Sequence, residues 1–262
     1  MALGQHLEFV AGEGPKLGPL DLDALAYDPE VLEPVYEALS NTKTALGVEG
    51  FDGTALIGFA GAPWTVATYM VEGGSSNDFM NTKLLAYREP EKFQKLMDML
   101  VDSTADYLIK QVTAGAEALQ IFDSWAGALD PQGFQKWCMD PIAEIVRRIH
   151  VKHPDVPIIG FPKGAGYNYI RFAKETGISA MGIDQHVPSD WARDALQPLI
   201  TVQGNLDPFA LMAGGDALEL AARRILNDLS GYPFVFNLGH GINKDTPIEH
   251  VEQLIKILRE NS

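Results

Sequence analysis

Polar side chains beside glycines recur along this chain, each time just after a short apolar run. Tyr69 lies between Gly61-Ala62-Pro63-Trp64 and Gly73-Gly74-Ser75-Ser76, and Asp123 and Ser124 lie between Ile121-Phe122 and Trp125-Ala126-Gly127. Farther on come Lys163-Gly164-Ala165-Gly166, Asp184-Gln185-His186, Gln203-Gly204-Asn205 and Asn237-Leu238-Gly239-His240-Gly241. Tyrosine, serine and imidazole groups donate hydrogen bonds to anions, and histidine exchanges protons near neutral pH. Glycines beside them let a ligand approach the backbone. Each residue also has a plain structural reading. His240 can satisfy a turn, Tyr69 can be a core tyrosine, Ser124 can cap a short helix, and Asp123 and Asp184 can bond backbone amides. Gly164-Ala165-Gly166 is too short to identify a phosphate cradle, and Gly73–Ser76 reads equally as a mobile loop or a turn. There is no GxSxG elbow, HExxH pair or complete Walker loop.

The apolar runs that precede these groups must position them. They are Leu56–Gly61, Ala118–Ser124, Pro157–Lys163, Ala180–Asp184, Ile200–Asn205 and Phe234–His240. Near-continuous hydrophobicity predicts parallel strands buried on both faces. Helical segments lie between them. From Pro90 to about Ala114, Phe93, Leu96, Met97, Leu100, Leu108 and Val112 form one stripe, with Pro90 at the start and Gly115 as the stop. Thr246 and Glu249 have capping-box spacing before Ile248, Val251, Leu254, Ile255 and Leu258. Asp130-Pro131 and Asp207-Pro208 predict two more caps. Asp28–Leu46 reads as a helix, and Leu7–Val10 followed by GEGP as an excursion or hairpin. Alternating strands and helices predict an α/β fold with a parallel sheet, whose ligand site lies beyond the carboxyl ends of the strands. A closed barrel needs eight such units, and six are countable here.

Composition narrows the function. With 35 Asp+Glu against 20 Lys+Arg the net charge is −15, which disfavours nucleic acid as a partner. Cys138 is the single cysteine, so no intrachain disulfide and no zinc site with two thiolates can form. No stretch approaches the roughly 20 apolar residues of a membrane span. The N-terminal MALGQHLEFV does not read as a signal peptide, and a cytoplasmic location without membrane association is expected. No linker is evident, and one domain over 1–262 is expected.

Together, GFAGAPWTVATYMVEGGSS (58–76), LQIFDSWAGAL (119–129), QGNLDP (203–208) and FNLGHGI (236–242) resemble the uroporphyrinogen decarboxylase family, and AGEGP (11–15) also fits. The resemblance covers essentially the whole chain from about residue 7. It implies a (β/α)8 TIM barrel, a homodimer, and no cofactor or metal. It implies a carboxy-lyase that removes CO2 from four acetate arms of uroporphyrinogen III, giving coproporphyrinogen III in haem biosynthesis. The family's catalytic and substrate-contacting tyrosine and histidine map onto Tyr69 and His240, and its substrate-contacting small hydroxyl residue onto Ser124. Phe59 and Phe122 match apolar residues that line the cleft.

The chain departs from this pattern at its start. The family's first two βα units, about eighty residues, carry an arginine-rich segment and a catalytic aspartate. No arginine precedes Leu56, and Glu8, Glu13 and Asp21 stand in no matching context. The expectation is an N-terminally truncated chain with about six of eight βα units, lacking the catalytic aspartate and inactive or nearly so alone. Two other functions remain open. One is a non-catalytic porphyrinogen-binding remnant. The other is a zinc-dependent corrinoid or thiol methyltransferase of the same superfamily, for which Cys138, without a nearby histidine, is a poor ligand set.

Overall fold

The computed structural model describes residues 2–10 and 14–260, apart from the side chains of residues 9, 10, 14 and 15. Ala11–Glu13 of the AGEGP segment therefore lie outside the described residues. Strands β1 (Leu7–Val10) and β2 (Gly14–Leu17) pair antiparallel as a separate hairpin. The remaining strands are β3 (Ile57–Gly61), β4 (Ala118–Asp123), β5 (Ile158–Pro162), β6 (Ala180–Gly182), β7 (Thr201–Leu206) and β8 (Phe234–Leu238). They form one parallel sheet in sequence order, each within two residues of its expected bounds.

Helices separate the strands. They are α1 (Glu33–Val48), α2 (Pro63–Glu72), α3 (Met80–Arg88), α4 (Pro90–Thr113), α5 (Pro131–Gly133), α6 (Asp140–Lys152), α7 (Asn168–Glu175), α8 (Ser189–Ala195), α9 (Pro208–Ala213), α10 (Gly215–Leu229) and α11 (Ile248–Arg259). In α4 the expected stripe is the buried face, with Phe93, Leu96, Met97, Leu100 and Leu108 buried and Val112 packed against the core. Asp130 accepts from the Gly133 amide at 2.6 Å and Asp207 from Phe209 at 2.8 Å, so both expected Asp-Pro caps form. The predicted helix at Asp28–Leu46 begins instead with a 3-10 turn (Pro29–Leu32), capped by the Asp28 carboxylate. The expected capping box of α11 does not form. Pro247, in extended backbone, occupies the N-cap, so Thr246 falls one residue too early. The buried Thr246 hydroxyl has no partner among the described residues. Ile248 is 74% exposed and Ile255 is also exposed, while Leu254 and Ile257 are buried and Val251 and Leu258 pack against them.

The main core lies between sheet and helices, with Leu119 and Ile121 of β4 against Leu108, Ile142, Ile145 and Ile149. A second cluster joins Trp64 of α2 to Phe93, Leu96, Met97, Leu100 and Trp137, with Leu3. The sheet curls strongly. The Gln203 side chain of β7 reaches that of Gln120 on β4, donating at 3.4 Å across two intervening strands.

Among the described residues β3 and β8 pair on one side only. The β3 edge is not bare. The buried amide of Gln111 on α4 accepts from Phe59 N and donates to Phe59 O, both at 2.9 Å. An amide side chain thus occupies backbone groups that another strand would otherwise use. Replacing it with Gln111→Leu leaves both groups unsatisfied. We expect a loss of about 1–3 kcal/mol by denaturant unfolding, together with more self-association in light scattering. An unchanged midpoint and a sharp monomer peak would show that Gln111 does not guard this edge.

Candidate active site

The carboxyl ends of the parallel strands gather the residues picked out by their glycines. On the inner surface an aromatic row crosses the sheet. Phe59 of β3 meets Phe122 of β4 edge-on at 6.1 Å, and Phe122 meets Phe161 of β5 edge-on at 6.0 Å. His240, beyond β8, stacks on Phe161 at 6.5 Å with planes 17° apart. A hollow of about 280 Å³ opens here, lined by Gln120, Phe122, Phe161, Gly182, Gln203, Asn237 and His240 among others. Gly182 is required by this arrangement, because a Cβ there would stand 2.7 Å from the Phe161 ring.

Tyr69, Ser124 and Phe59 do not line that hollow; they stand on its β3–β4 side. Phe59 is 60% exposed against Phe122. Tyr69 is not a core tyrosine. It is 40% exposed on α2, with its ring 6.3 Å from that of Trp125. Ser124 is half-buried beside Trp125. It does not cap the following 3-10 turn (Ala126–Ala128), whose N-cap is Trp125. The Nζ of Lys163 lies 5.9 Å from the Trp125 ring centre, which links the Tyr69 side of the site to the β5 side. Larger hollows lie elsewhere, and two of them are walled by helices that follow the strands. One, of about 320 Å³, lies among α2, α3 and α5, and the other, of about 760 Å³, lies between α8 and α10. Neither collects the strand-end aromatic row.

The two strand-end aspartates face inward and do bond backbone and internal groups. Asp184 accepts from Gly164 N and the Tyr169 hydroxyl, both at 2.7 Å, and from His186 N at 2.8 Å. The Gly164 amide is thereby occupied, so the Gly164-Ala165-Gly166 turn serves the protein's own carboxylate. Asp123 is fully buried and accepts from the Thr65 hydroxyl at 2.6 Å, while Thr65 Oγ1 accepts from Trp125 N at 3.2 Å. Burial raises the Asp123 pKa to about 6, opposed by hydrogen bonds from Thr65 and the Cys138 thiol. Cys138, also fully buried, has its own pKa pushed well up by that burial and by the Asp123 charge.

His240 is open to solvent on one side, yet its pKa lies below the usual value. Partial burial is the larger cause, the Lys163 charge adds to it, and Asp184 opposes both. Its two glycine neighbours differ in purpose. A Cβ on Gly239 would collide with the Gln185 backbone, so Gly239 serves packing, whereas Gly241 has open space around it. Of the Gly73–Ser76 segment, Gly73 terminates α2 at φ 75° and Ser76 Oγ accepts from Phe79 N at 3.0 Å, which makes it a capped turn. Sequence patterns did not single out Phe161, and they gave Trp125 and Gln203 only as members of strand-end segments, without a role. Phe161 was nonetheless detectable as the β5 counterpart of Phe122, its register partner.

A parallel α/β sheet with its polar and aromatic groups gathered at the carboxyl ends defines an enzyme-type fold whose ligand site lies there. Residues 1–261 match the family described as Uroporphyrinogen decarboxylase (URO-D). Relatives described as uroporphyrinogen decarboxylase from Rhizorhabdus wittichii and Rhodospirillum rubrum are 51% and 50% identical, each alignment covering 98% of this chain and 75% of the relative. The chain belongs to the uroporphyrinogen decarboxylase family. Among solved structures, a methyltransferase from Methanosarcina mazei superposes with a TM-score of 0.81 at 19% identity, covering 99% of this chain and 76% of that one. At that identity the likeness is one of fold.

The raised Asp123 pKa has a definite sign in stability. The folded state holds this proton up to about pH 6, whereas an unfolded aspartate releases it near about 3.9. The stability associated with the protonated carboxyl is therefore present below about pH 4 and is lost as pH rises through the folded pKa. Asp123→Asn should remove a decline on the order of 2–3 kcal/mol between these limits. Denaturant unfolding of both proteins at several pH values measures this, and parallel pH profiles would contradict it.

Proposed function

We propose that this site serves the decarboxylation of uroporphyrinogen III to coproporphyrinogen III. In this reading the six βα units are part of one (β/α)8 barrel domain. The single observation that carries the proposal is that Tyr69, Ser124 and His240 flank one aromatic row in a chain whose family match runs from end to end.

The chemistry suits such a surface. Protonating a pyrrole carbon beside an acetate arm produces a cationic ring that accepts the electrons released with CO2, and a second proton completes the methyl product. The pyrrole is its own electron sink, a task other decarboxylases give to a bound cofactor. The protein has to hold the remaining carboxylates, deliver protons and stabilise the cation. Phe59 and Phe122 offer ring faces and edges to the apolar body of the ligand, with the buried Phe161 packed behind Phe122. Tyr69, Ser124 and His240 offer donors to its carboxylates. The methyltransferase alternative is poorly supported, since the Cys138 thiol is fully buried beside Asp123 and away from the open site.

Binding without turnover is the second reading, and the two strand-end aspartates favour it. Stabilising a cationic pyrrole needs a carboxylate that the ligand can reach, whereas Asp123 and Asp184 are both buried, Asp184 with its oxygens engaged and Asp123 bonded through Oδ1.

Two outcomes follow. Tyr69→Phe and His240→Asn should each weaken binding of the octacarboxylic uroporphyrin by about 1–3 kcal/mol, read by fluorescence titration. Unaltered affinity in both variants would place the ligand elsewhere. On the second reading the purified 262-residue chain should form little or no coproporphyrinogen from uroporphyrinogen. Turnover comparable to that of one of its relatives would show that the described carboxylates suffice.

A further inference from the structure

Lys163 has a place in the fold that the function proposed above leaves unused. It is the first residue after β5. Its amide donates to Asp123 O at 3.1 Å and its carbonyl accepts from Gly127 N at 2.9 Å. Its backbone is therefore bound on both sides to the segment that carries Ser124 and Trp125. Its side chain is half-buried and runs toward the Trp125 ring. The Tyr69 ring is also packed near Trp125, and the charge of Lys163 acts on His240.

What Lys163 lacks is an anion. Among the described residues no carboxylate forms an ion pair with it, although most arginines of this acidic chain are paired. In the segments that follow β3 to β8, Lys244 is the other lysine, and its side chain is 90% exposed and lies 3.8 Å from Asp245. No arginine occurs in those segments before the next helix begins. A half-buried ammonium without a counter-ion costs solvation free energy that an incoming carboxylate would restore. A chain of net charge −15 repels a polycarboxylate at long range, so binding depends on such local positive charge.

We propose that Lys163 is the cationic anchor of this site, receiving one carboxylate arm of the tetrapyrrole between the Trp125 ring and His240. The assignment rests on the proposed function of the site. It adds a contact of a different kind from Tyr69, Ser124 and His240, namely a full positive charge. The same charge acts on His240 in the free protein, where the other charged group facing the imidazole is Asp184.

The test uses uroporphyrin III as probe and three proteins: the unaltered chain, Lys163→Met and Lys163→Arg. Lys163→Met should bind about tenfold to a hundredfold more weakly and show a shallower dependence of affinity on salt. Lys163→Arg should stay within a few-fold of the unaltered chain. An NMR titration of His240 without ligand should show its pKa rising in Lys163→Met, because a like charge has been removed. A merely structural lysine would change the melting temperature but neither the salt slope nor His240. If the unaltered chain binds uroporphyrin and Lys163→Met binds it equally well with the same salt slope, the assignment of Lys163 is overturned and the site proposal stands. If the unaltered chain does not bind uroporphyrin at all, both are overturned, whatever His240 does.

Discussion

Asp184 holds together the end of the sheet on which the site depends. One buried carboxylate accepts hydrogen bonds from the Gly164 amide, the Tyr169 hydroxyl and the His186 amide. Its own carbonyl accepts from Asn205 Nδ2 at 2.9 Å, and the same amide group donates to Val187 O at 2.7 Å. The turns after β5 and β6 are thus fastened to each other and to the end of β7 by buried and partly buried hydrogen bonds. The Gly239 backbone packs against Gln185, the residue after Asp184, which carries the constraint to the turn that bears His240. Buried charged groups persist only when nearly all their bonding capacity is used, so each of these turns has little freedom to move alone. Asp123 does the corresponding task on the other side, joining the end of β4 through Thr65 to the start of α2 and to Trp125. Tyr69 rides on that helix two turns from its start.

Both carboxylates therefore act as fasteners, and the open surface is left to aromatic and neutral polar groups and to Lys163. That division explains why adjacent residues differ so sharply in environment. Asp123 is fully buried while Ser124 is partly open, and Pro162 is buried while Lys163 is partly open. A strand alternates its faces, and where it ends in a turn the last inward residue sets the direction of the next. Fold and site are separable in the same way. A methyltransferase shares the architecture at 19% identity, so the architecture alone carries no chemistry.

The strands and their order are legible in the sequence because each is an uninterrupted apolar run. The expected burial on both faces holds for β4 to β7 only, since β3 and β8 pair on one side and alternate buried with more exposed residues. The Asp-Pro caps at Asp130 and Asp207 are legible because their chemistry is local. The start of α11 is not, since Thr246 and Glu249 have the right spacing and tertiary packing nevertheless places Pro247 at the cap. Within the site, glycine flanks point to Tyr69, Ser124 and His240, but they do not separate a glycine kept for packing, Gly239, from one left open, Gly241. Phe161 escapes the same search because its significance comes from Phe122 on another strand and from His240, while Lys163, which does stand beside a glycine, gains its place from Trp125 on the neighbouring strand's turn. Sequence spacing reports neighbours along the chain, whereas a site at the strand ends is made of neighbours across it.

The charge balance of the open site follows from these placements. Lys163 and partial burial together keep His240 neutral more often than a solvated imidazole would be. An imidazolium there would set a second positive charge near that of Lys163. A neutral imidazole retains one donor and one acceptor, so it can both bond a carboxylate and take up a proton. A carboxylate brought near Lys163 would cancel the charge that disfavours imidazolium and would itself favour it. Ligand and proton would then bind with mutual assistance, as linkage requires when each stabilises the same charge state. An acidic protein can in this way hold a polyanion with few permanent cations, provided that the aromatic row supplies the rest by excluding water from the ligand's rings.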